Sequence, residues 1–209
     1  CIRAINNVAD VTNLIMLEFG QPMHAFDARG VMNEAVFVRT AKEGERITTL
    51  DGKTRDLETS DLLIADSQNV LGLAGVMGGK DSEVSDSTTT ILLEAAIFDP
   101  VSIRNTSKRH GLYSEASKRF QHGLTKLNLL QALSAAIKMY EQLGGKLTGL
   151  TIVGDTKDEV KTIKLTQEKI NSLIGVDISP KDVEDSLQSL GFILASQGDA
   201  LEATVPYWR

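Results

Sequence analysis

Residues 62–98 read LLIADSQNVLGLAGVMGGKDSEVSDSTTTILLEAAIF, and this stretch decides the fold. It holds three short apolar runs: Leu62 to Ala65, Val70 to Val76 and Ile91 to Phe98. They are separated by Asp66-Ser67-Gln68-Asn69, by Gly78-Gly79 and by a polar segment ending in Thr88-Thr89-Thr90. Apolar runs of this length between turn-forming residues predict strands. Their continuous apolar character leaves no wet face, so both sides of the sheet are expected to be covered. Further back, Ile47 to Leu57 predicts a hairpin turning at Asp51-Gly52, and Ala35 to Thr40 predicts one more strand. Ahead of them Ile5, Val8, Thr12, Ile15, Met16 and Phe19 recur at three- and four-residue steps as far as Gly20. That spacing predicts an amphipathic helix over 4–19, with Pro22 then opening a loop that carries His24.

Beyond the strands, Asp99-Pro100 supplies an N-cap and a first-turn proline for a helix to about Arg109, stopped by His110-Gly111. A short helix from Ser114 follows, and then a long one from Thr125 to Leu143. The long helix carries Leu129, Leu130, Leu133, Ala136, Ile137 and Tyr140, read as one face. A short strand is expected at Leu150 to Val153, and the polar run 154–159 suggests a domain boundary. The remainder reads as a strand over Thr162 to Leu165, a helix after Thr166, a helix after Ser179-Pro180 and a hairpin from Phe192 to Val205. Two short helices followed by a hairpin are similar to a winged helix-turn-helix. The expected class is α+β: residues 1–155 form a multi-layer mixed sheet or sandwich with packed helices, and residues 160–209 a small winged-helix-like module.

The 209 residues include 22 Lys and Arg against 28 Asp and Glu, a formal charge of -6, and are 42% hydrophobic. A disordered chain and a globally basic DNA-coating protein are both excluded. Cys1 is the single cysteine, so neither a disulfide framework nor a cysteine zinc site forms, in keeping with a reducing cytoplasm. No apolar run approaches the roughly 18 residues of a membrane span. The first residue is not Met and the last, Val205 to Arg209, are not tail-like, so a piece of a longer chain is expected.

His24, His110 and His122 show no ligand spacing, which disfavours a zinc hydrolase, and no nucleophile elbow or placed cysteine supports covalent catalysis. His24 is a candidate for a cleft, with a structural histidine as the alternative. Glu94 sits within ILLEAAIF, and on a strand it shares its face with Leu92 and Ala96, where apolar atoms belong. Such a carboxylate is paired, protonated or turned into a pocket, unless the strand is an edge and Glu94 faces water. Gly72, Gly75, Gly78 and Gly79 match no phosphate loop; they admit a flat ligand closely or simply make a turn. From Arg104 to His122 the chain holds Arg104, Lys108, Arg109, Lys118 and Arg119 against Glu115 alone. This local surplus suggests a polyanion contact or a solvated face. From Thr162 to Arg209 four basic residues stand against seven acidic ones, which disfavours duplex DNA.

The strings Val11-Thr12-Asn13, Gly20-Gln-Pro-Met-His-Ala-Phe-Asp27, Ile64-Ala-Asp66, Gly75-Val-Met-Gly-Gly79, Leu92-Leu-Glu-Ala-Ala96 and Arg109-His-Gly-Leu-Tyr-Ser-Glu-Ala-Ser117 together resemble the β-subunit family of bacterial phenylalanyl-tRNA synthetases. The resemblance spans the editing module and the small helical module after it. It implies hydrolysis of tyrosine wrongly attached to phenylalanine tRNA, in a pocket lined by Thr12, Asn13, His24, Gly78, Glu94, Ser114 and Ala116. It further implies the tRNA 3′ end and the α subunit of an α2β2 enzyme as partners. ATP and magnesium are expected only in the intact synthetase, with no metal or other cofactor here. Two departures are Ser114, where relatives often carry Thr, and Gln121-His-Gly-Leu-Thr125, which replaces a Glu-Arg-Gly-Val-Asp-Pro run.

In such a pocket Glu94 is expected to accept the tyrosine hydroxyl, while phenylalanine leaves it unpaired. His24, Asn13, Thr12 and the amides of the glycine segment are candidates for handling water and the oxyanion. Arg104, Lys108, Arg109, Lys118 and Arg119 are candidate tRNA contacts. The alternatives are a non-catalytic scaffold or tRNA-binding module of the synthetase, and a DNA-binding module through the C-terminal helices.

Overall fold

The computed structural model describes residues 3–157, 160–198 and 200–209. Cys1, Asp158 and Glu159 of the polar run, and Asp199 of the last hairpin lie outside the described residues. The chain divides into two compact units, Cys1–Gly154 and Asp155–Arg209, each with both helices and strands, so the class is α+β.

In the first unit α1 (Asn7–Phe19) is capped by the Asn6 side chain, which accepts from Ala9 N at 2.8 Å. Gly20 ends it at φ +71, donating to Met16 O at 3.0 Å. Ile5 therefore falls outside the helix and is exposed, while Val11, Thr12, Ile15 and Met16 are its buried face. The residues after Pro22 do not form a loop: Met23–Asp27 is a strand, β1. It pairs antiparallel with β8 (Ile91–Ala95), with His24 opposite Glu94 and Phe26 opposite Leu92. The expectation failed because Met-His-Ala-Phe-Asp is too short and too mixed to show alternation until its partner is known.

Strands β2 (Phe37–Thr40), β5 (Leu62–Ala65), β6 (Val70–Leu73) and β7 (Met77–Gly78) form one sheet in that order. The hairpin of β3 (Arg46–Thr48) and β4 (Thr54–Asp56) joins its far edge through a Thr49–Gly79 bridge. Every pairing among the described strands is antiparallel. Helices α2 (Pro100–His110), α3 (Glu115–Phe120) and α4 (Lys126–Gln142) follow, with N-caps Asp99, Ser114 and Thr125.

Two cores meet at the β1–β8 ribbon. On one side Phe26 and Leu92 join Leu63, Leu73, Phe98, Ile103 and Phe120. On the other, Met23 and Leu93 pack with Val11 and Ile15 of α1 and Ala132 and Ala136 of α4. The ribbon is thus covered on both faces, and the small alanines let the two helices approach. Leu130, Leu133 and Ile137 do not share that face. They line a groove on another side of α4 together with Leu150 and Ile152. For the same reason Leu150 to Val153 is no strand: Leu150 and Ile152 lie along a helix rather than beside a strand, and Val153 is exposed.

The second unit runs β9 (Thr162–Thr166), α5 (Gln167–Ile174), α6 (Pro180–Ser189), β10 (Ile193–Gln197) and β11 (Ala200–Thr204). Its antiparallel sheet has the order β10-β11-β9. Thr166 and Ser179 cap the two helices through their hydroxyls, Gly175 ends the first, and the whole is a small winged-helix-like module.

Candidate functional site

A cavity of about 290 Å³ opens in the first unit between the β1–β8 ribbon, the β6–β7 turn, α1 and α3. Thr12 and Asn13 of α1, His24 of β1, Gly78 of β7, Glu94 of β8, and Ser114 and Ala116 at the start of α3 all line it. The structure brings these seven residues together from five separate elements.

Glu94 and His24 project from directly opposed positions of the ribbon, onto the face shared by Phe26 and Leu92. No hydrogen bond or ion pair engages the Glu94 carboxyl among the described residues, and burial pushes its pKa up to about 7. The edge-strand alternative, with Glu94 in water, does not hold. His24 Nε2 is buried without a partner, and the ring packs edge-on to Phe26 at 4.5 Å between centroids. Burial pushes the His24 pKa down to about 4, so the imidazole is neutral at physiological pH.

Gly78 is what lets His24 lie where it does. A Cβ on Gly78 would stand 2.6 Å from His24 Cε1 and Nε2, closer than any real contact. Gly72 pairs with Gly78 across β6–β7, so this floor of the cavity is bare backbone. Two amides of this segment are already engaged: Gly79 N donates to Leu71 O at 2.7 Å and Val76 N to Leu73 O at 3.0 Å.

The hydroxyls in the cavity wall are also engaged. Thr12 Oγ1 donates to Ala9 O at 2.8 Å, which leaves it an acceptor only. Ser114 Oγ donates to Val76 O at 2.8 Å and accepts from Ser117 N at 3.0 Å, tying α3 to the β6–β7 turn. The Asn13 side chain, by contrast, has no hydrogen bond to the described residues. Leu50, at the tip of the β3–β4 hairpin, also lines the cavity, and its N–H donates to Gly78 O at 3.1 Å. Sequence reasoning passed over Leu50 because a hairpin tip gives no sign of where it docks.

The five basic residues divide. Lys118 and Arg119 both pair with Glu115 at 2.8 Å. Arg109 pairs with Glu58 at 3.1 Å and with Asp61, a fully buried carboxylate that also holds His110 Nε2 at 2.7 Å and Thr106 Oγ1 at 3.1 Å. Burial alone would raise the Asp61 carboxyl; the bonds from His110 and Glu58 N and the charge of Arg109 hold it below its ordinary value. Arg104 reaches Gln121 O at 3.5 Å, and Lys108 is exposed. The basic surplus of this stretch is therefore largely neutralised, leaving Arg104 and Lys108, of these five, without a carboxylate partner among the described residues. Asp61 itself was missed, although an aspartate leading straight into Leu-Leu-Ile-Ala is a signal for a buried charge awaiting cations.

Among the described residues no three His, Cys, Asp or Glu side chains converge to hold a metal ion, and no helix is long and apolar enough to cross a membrane.

Residues 1–145 match the model of the B3/4 domain, and residues 163–209 that of the tRNA synthetase B5 domain. The whole chain aligns with phenylalanine–tRNA ligase β subunits: 46% identical to that of Anaeromyxobacter dehalogenans and 44% to that of Protochlamydia amoebophila. In both, 100% of this chain is covered, and it spans 26% of the relative's length. Among solved structures it is similar to an N-terminal fragment of the phenylalanyl-tRNA synthetase β subunit from Pyrococcus horikoshii, at 14% identity and a TM-score of 0.43 over 97% of this chain and 60% of that one. With the first model covering the greater part of its residues and the second most of the rest, the chain belongs to the B3/4 domain family, followed by a B5 domain in the order carried by phenylalanine–tRNA ligase β subunits.

Proposed function

We propose that the first unit is an editing site that hydrolyses the ester between tyrosine and phenylalanine tRNA, within a cytoplasmic ligase built from this β chain and an α subunit. ATP and magnesium chemistry belongs, on this reading, to that intact enzyme. The observation that carries the proposal is Glu94: a desolvated carboxyl group facing the cavity, on a strand face it shares with Leu92, with no partner of its own among the described residues. A tyrosine side chain supplies the missing donor, and phenylalanine of nearly the same shape does not. Sites that leave a buried polar group unpaired with the wrong substrate discriminate by about 10⁴-fold.

Hydrolysis adds water across the ester. The water oxygen bonds to the acyl carbon, the bond to the ribose oxygen breaks, and a proton passes to the ribose hydroxyl as it leaves. His24 and Asn13 present unengaged polar groups where that water would stand. With its pKa held near 4, His24 serves by accepting a hydrogen bond from the water and orienting it, and is a poor store for its proton. Thr12 has an acceptor lone pair left to offer. Ser114, whose hydroxyl proton is already given to Val76 O, and Ala116 shape the wall. The acid so formed gives its proton to solvent, and the tyrosine leaves as its carboxylate.

The test uses the full-length ligase carrying this chain, given tyrosyl- and phenylalanyl-tRNA(Phe) in separate reactions. Loss of tyrosine alone, with the preference abolished by Glu94→Ala, is the expected result. Equal rates on both esters, or on neither, would remove the editing reading.

A further inference from the structure

The cavity holds about 290 Å³, in the range of small-molecule sites. With the tyrosine ring directed at Glu94, the ester lies at the other end of the aminoacyl group and the terminal nucleoside beyond it, toward the mouth. Of the lining residues, Leu50 and Glu115 are exposed, whereas the others are buried or half-buried. These two mark the mouth.

Tyr113 is joined to it through the chain, one residue before Ser114 and two before Glu115. The residue is 67% exposed, and its ring pairs with no other ring among the described residues. An exposed aromatic taken singly signifies little. Here, however, the backbone is fixed on both sides of it. Leu112 is buried, donates its N–H to Ser107 O at 2.9 Å and accepts a hydrogen bond from Ser107 Oγ at its carbonyl. Ser114 is held by Val76 O and Ser117 N. A flat side chain with only two rotatable angles is thus carried into water on a fixed backbone, so that binding has little beyond those two angles to order.

We propose that Tyr113 is the stacking platform for the terminal nucleobase of the tRNA 3′ end, an inference that rests on the editing reading above. Stacking of a base on an aromatic ring needs no hydrogen-bond code and works best on a platform already in place. The cations Lys118 and Arg119, both held to Glu115, leave the same rim with a surplus positive charge beside the sugar–phosphate backbone.

Steady-state deacylation of tyrosyl-tRNA(Phe) by the full-length ligase decides it. Tyr113→Ala is expected to raise KM about tenfold, the loss of one base–aromatic stack, with the effect on KM rather than kcat. Tyr113→Phe, which keeps the ring, is expected to restore KM, and adenosine monophosphate should inhibit the unmodified enzyme about tenfold better than Tyr113→Ala. Unchanged KM in Tyr113→Ala, or Tyr113→Phe as impaired as Tyr113→Ala, overturns the assignment while leaving the editing reading intact. An unmodified enzyme that leaves tyrosyl-tRNA whole overturns the editing reading, and the platform with it.

Discussion

His24 and Glu94 stand directly opposite one another on the β1–β8 ribbon, and burial has reversed their ordinary order of acidity. The imidazole is pushed down to about 4 and the carboxyl up to about 7. Between those values the carboxyl carries a proton and the imidazole carries none. Two groups that in water would form an ion pair are instead both neutral, both unpaired and both facing the cavity, available to a ligand rather than to each other.

Glu94→Gln should stabilise the protein in alkaline solution. The folded pKa of Glu94, about 7, lies above its unfolded value of 4.5, so the folded state holds the extra proton between them. Its contribution is unpenalised below pH 4.5 and lost as pH rises through 7. The full loss is on the order of 3 kcal/mol. The variant should therefore melt higher than the unmodified protein at pH 8 and alike at pH 4. A gap of equal size at both pH values would mean that Glu94 is not desolvated. His24 works in the opposite sense, its lowered pKa removing stability as pH falls from 6.5 to 4.

Gly78→Ala should impair hydrolysis far more than stability. The new methyl group meets the His24 ring at 2.6 Å and Leu50 Cδ1 at 3.3 Å, and the ring is the part able to move. Displacing a group that positions the water by about 1 Å costs about 10²-fold in rate. Deacylation kinetics beside a urea melt would show it; a rate within twofold of the unmodified enzyme would dissociate His24 from the chemistry.

Most of the helices were legible in the sequence because their signals are local. Asp99-Pro100, Ser114, Thr125, Thr166 and Ser179-Pro180 each cap the helix they announce. The strands of residues 62–73 were legible from continuous apolar runs. What was not legible depends on a distant partner. Met23–Asp27 becomes a strand only by pairing with Ile91–Ala95, 68 positions later at the register His24–Glu94 shifted by none of the intervening loop. Leu130 and Leu133 look like one stripe with Ala136, yet the helix is covered from two sides. The seven cavity residues were named through resemblance; their spacing alone marked Glu94 as anomalous and left Asn13 and Ala116 unremarkable.

Ser114→Ala should loosen α3, because it removes a cap and the tie to Val76 O together. Loss of an N-cap hydroxyl costs about 0.5–2 kcal/mol. Ser114→Thr keeps both bonds and should behave as the unmodified protein does. Should Ser114→Ala abolish hydrolysis without lowering the melting temperature, the hydroxyl acts on the substrate and the structural account fails.

Asp61 makes the basic residues unequal, and this can be measured. Arg109, His110 and Thr106 all converge on its carboxylate, which is fully buried. Removing one partner of a buried ion pair costs about 3–5 kcal/mol because the other charge stays behind. Arg109→Ala and Asp61→Asn should therefore both lower the urea midpoint strongly. Lys108→Ala removes an exposed charge and should leave the midpoint within about 0.5 kcal/mol of the unmodified protein. If Lys108 contacts a phosphate, its loss instead lowers the salt dependence of tRNA binding by close to one counterion. Titrating tRNA(Phe) binding against salt and unfolding against urea, for the same three variants, separates a residue that holds the protein together from one that holds its substrate. An Arg109→Ala protein of normal stability but weakened tRNA binding would return that guanidinium to the RNA-contacting surface.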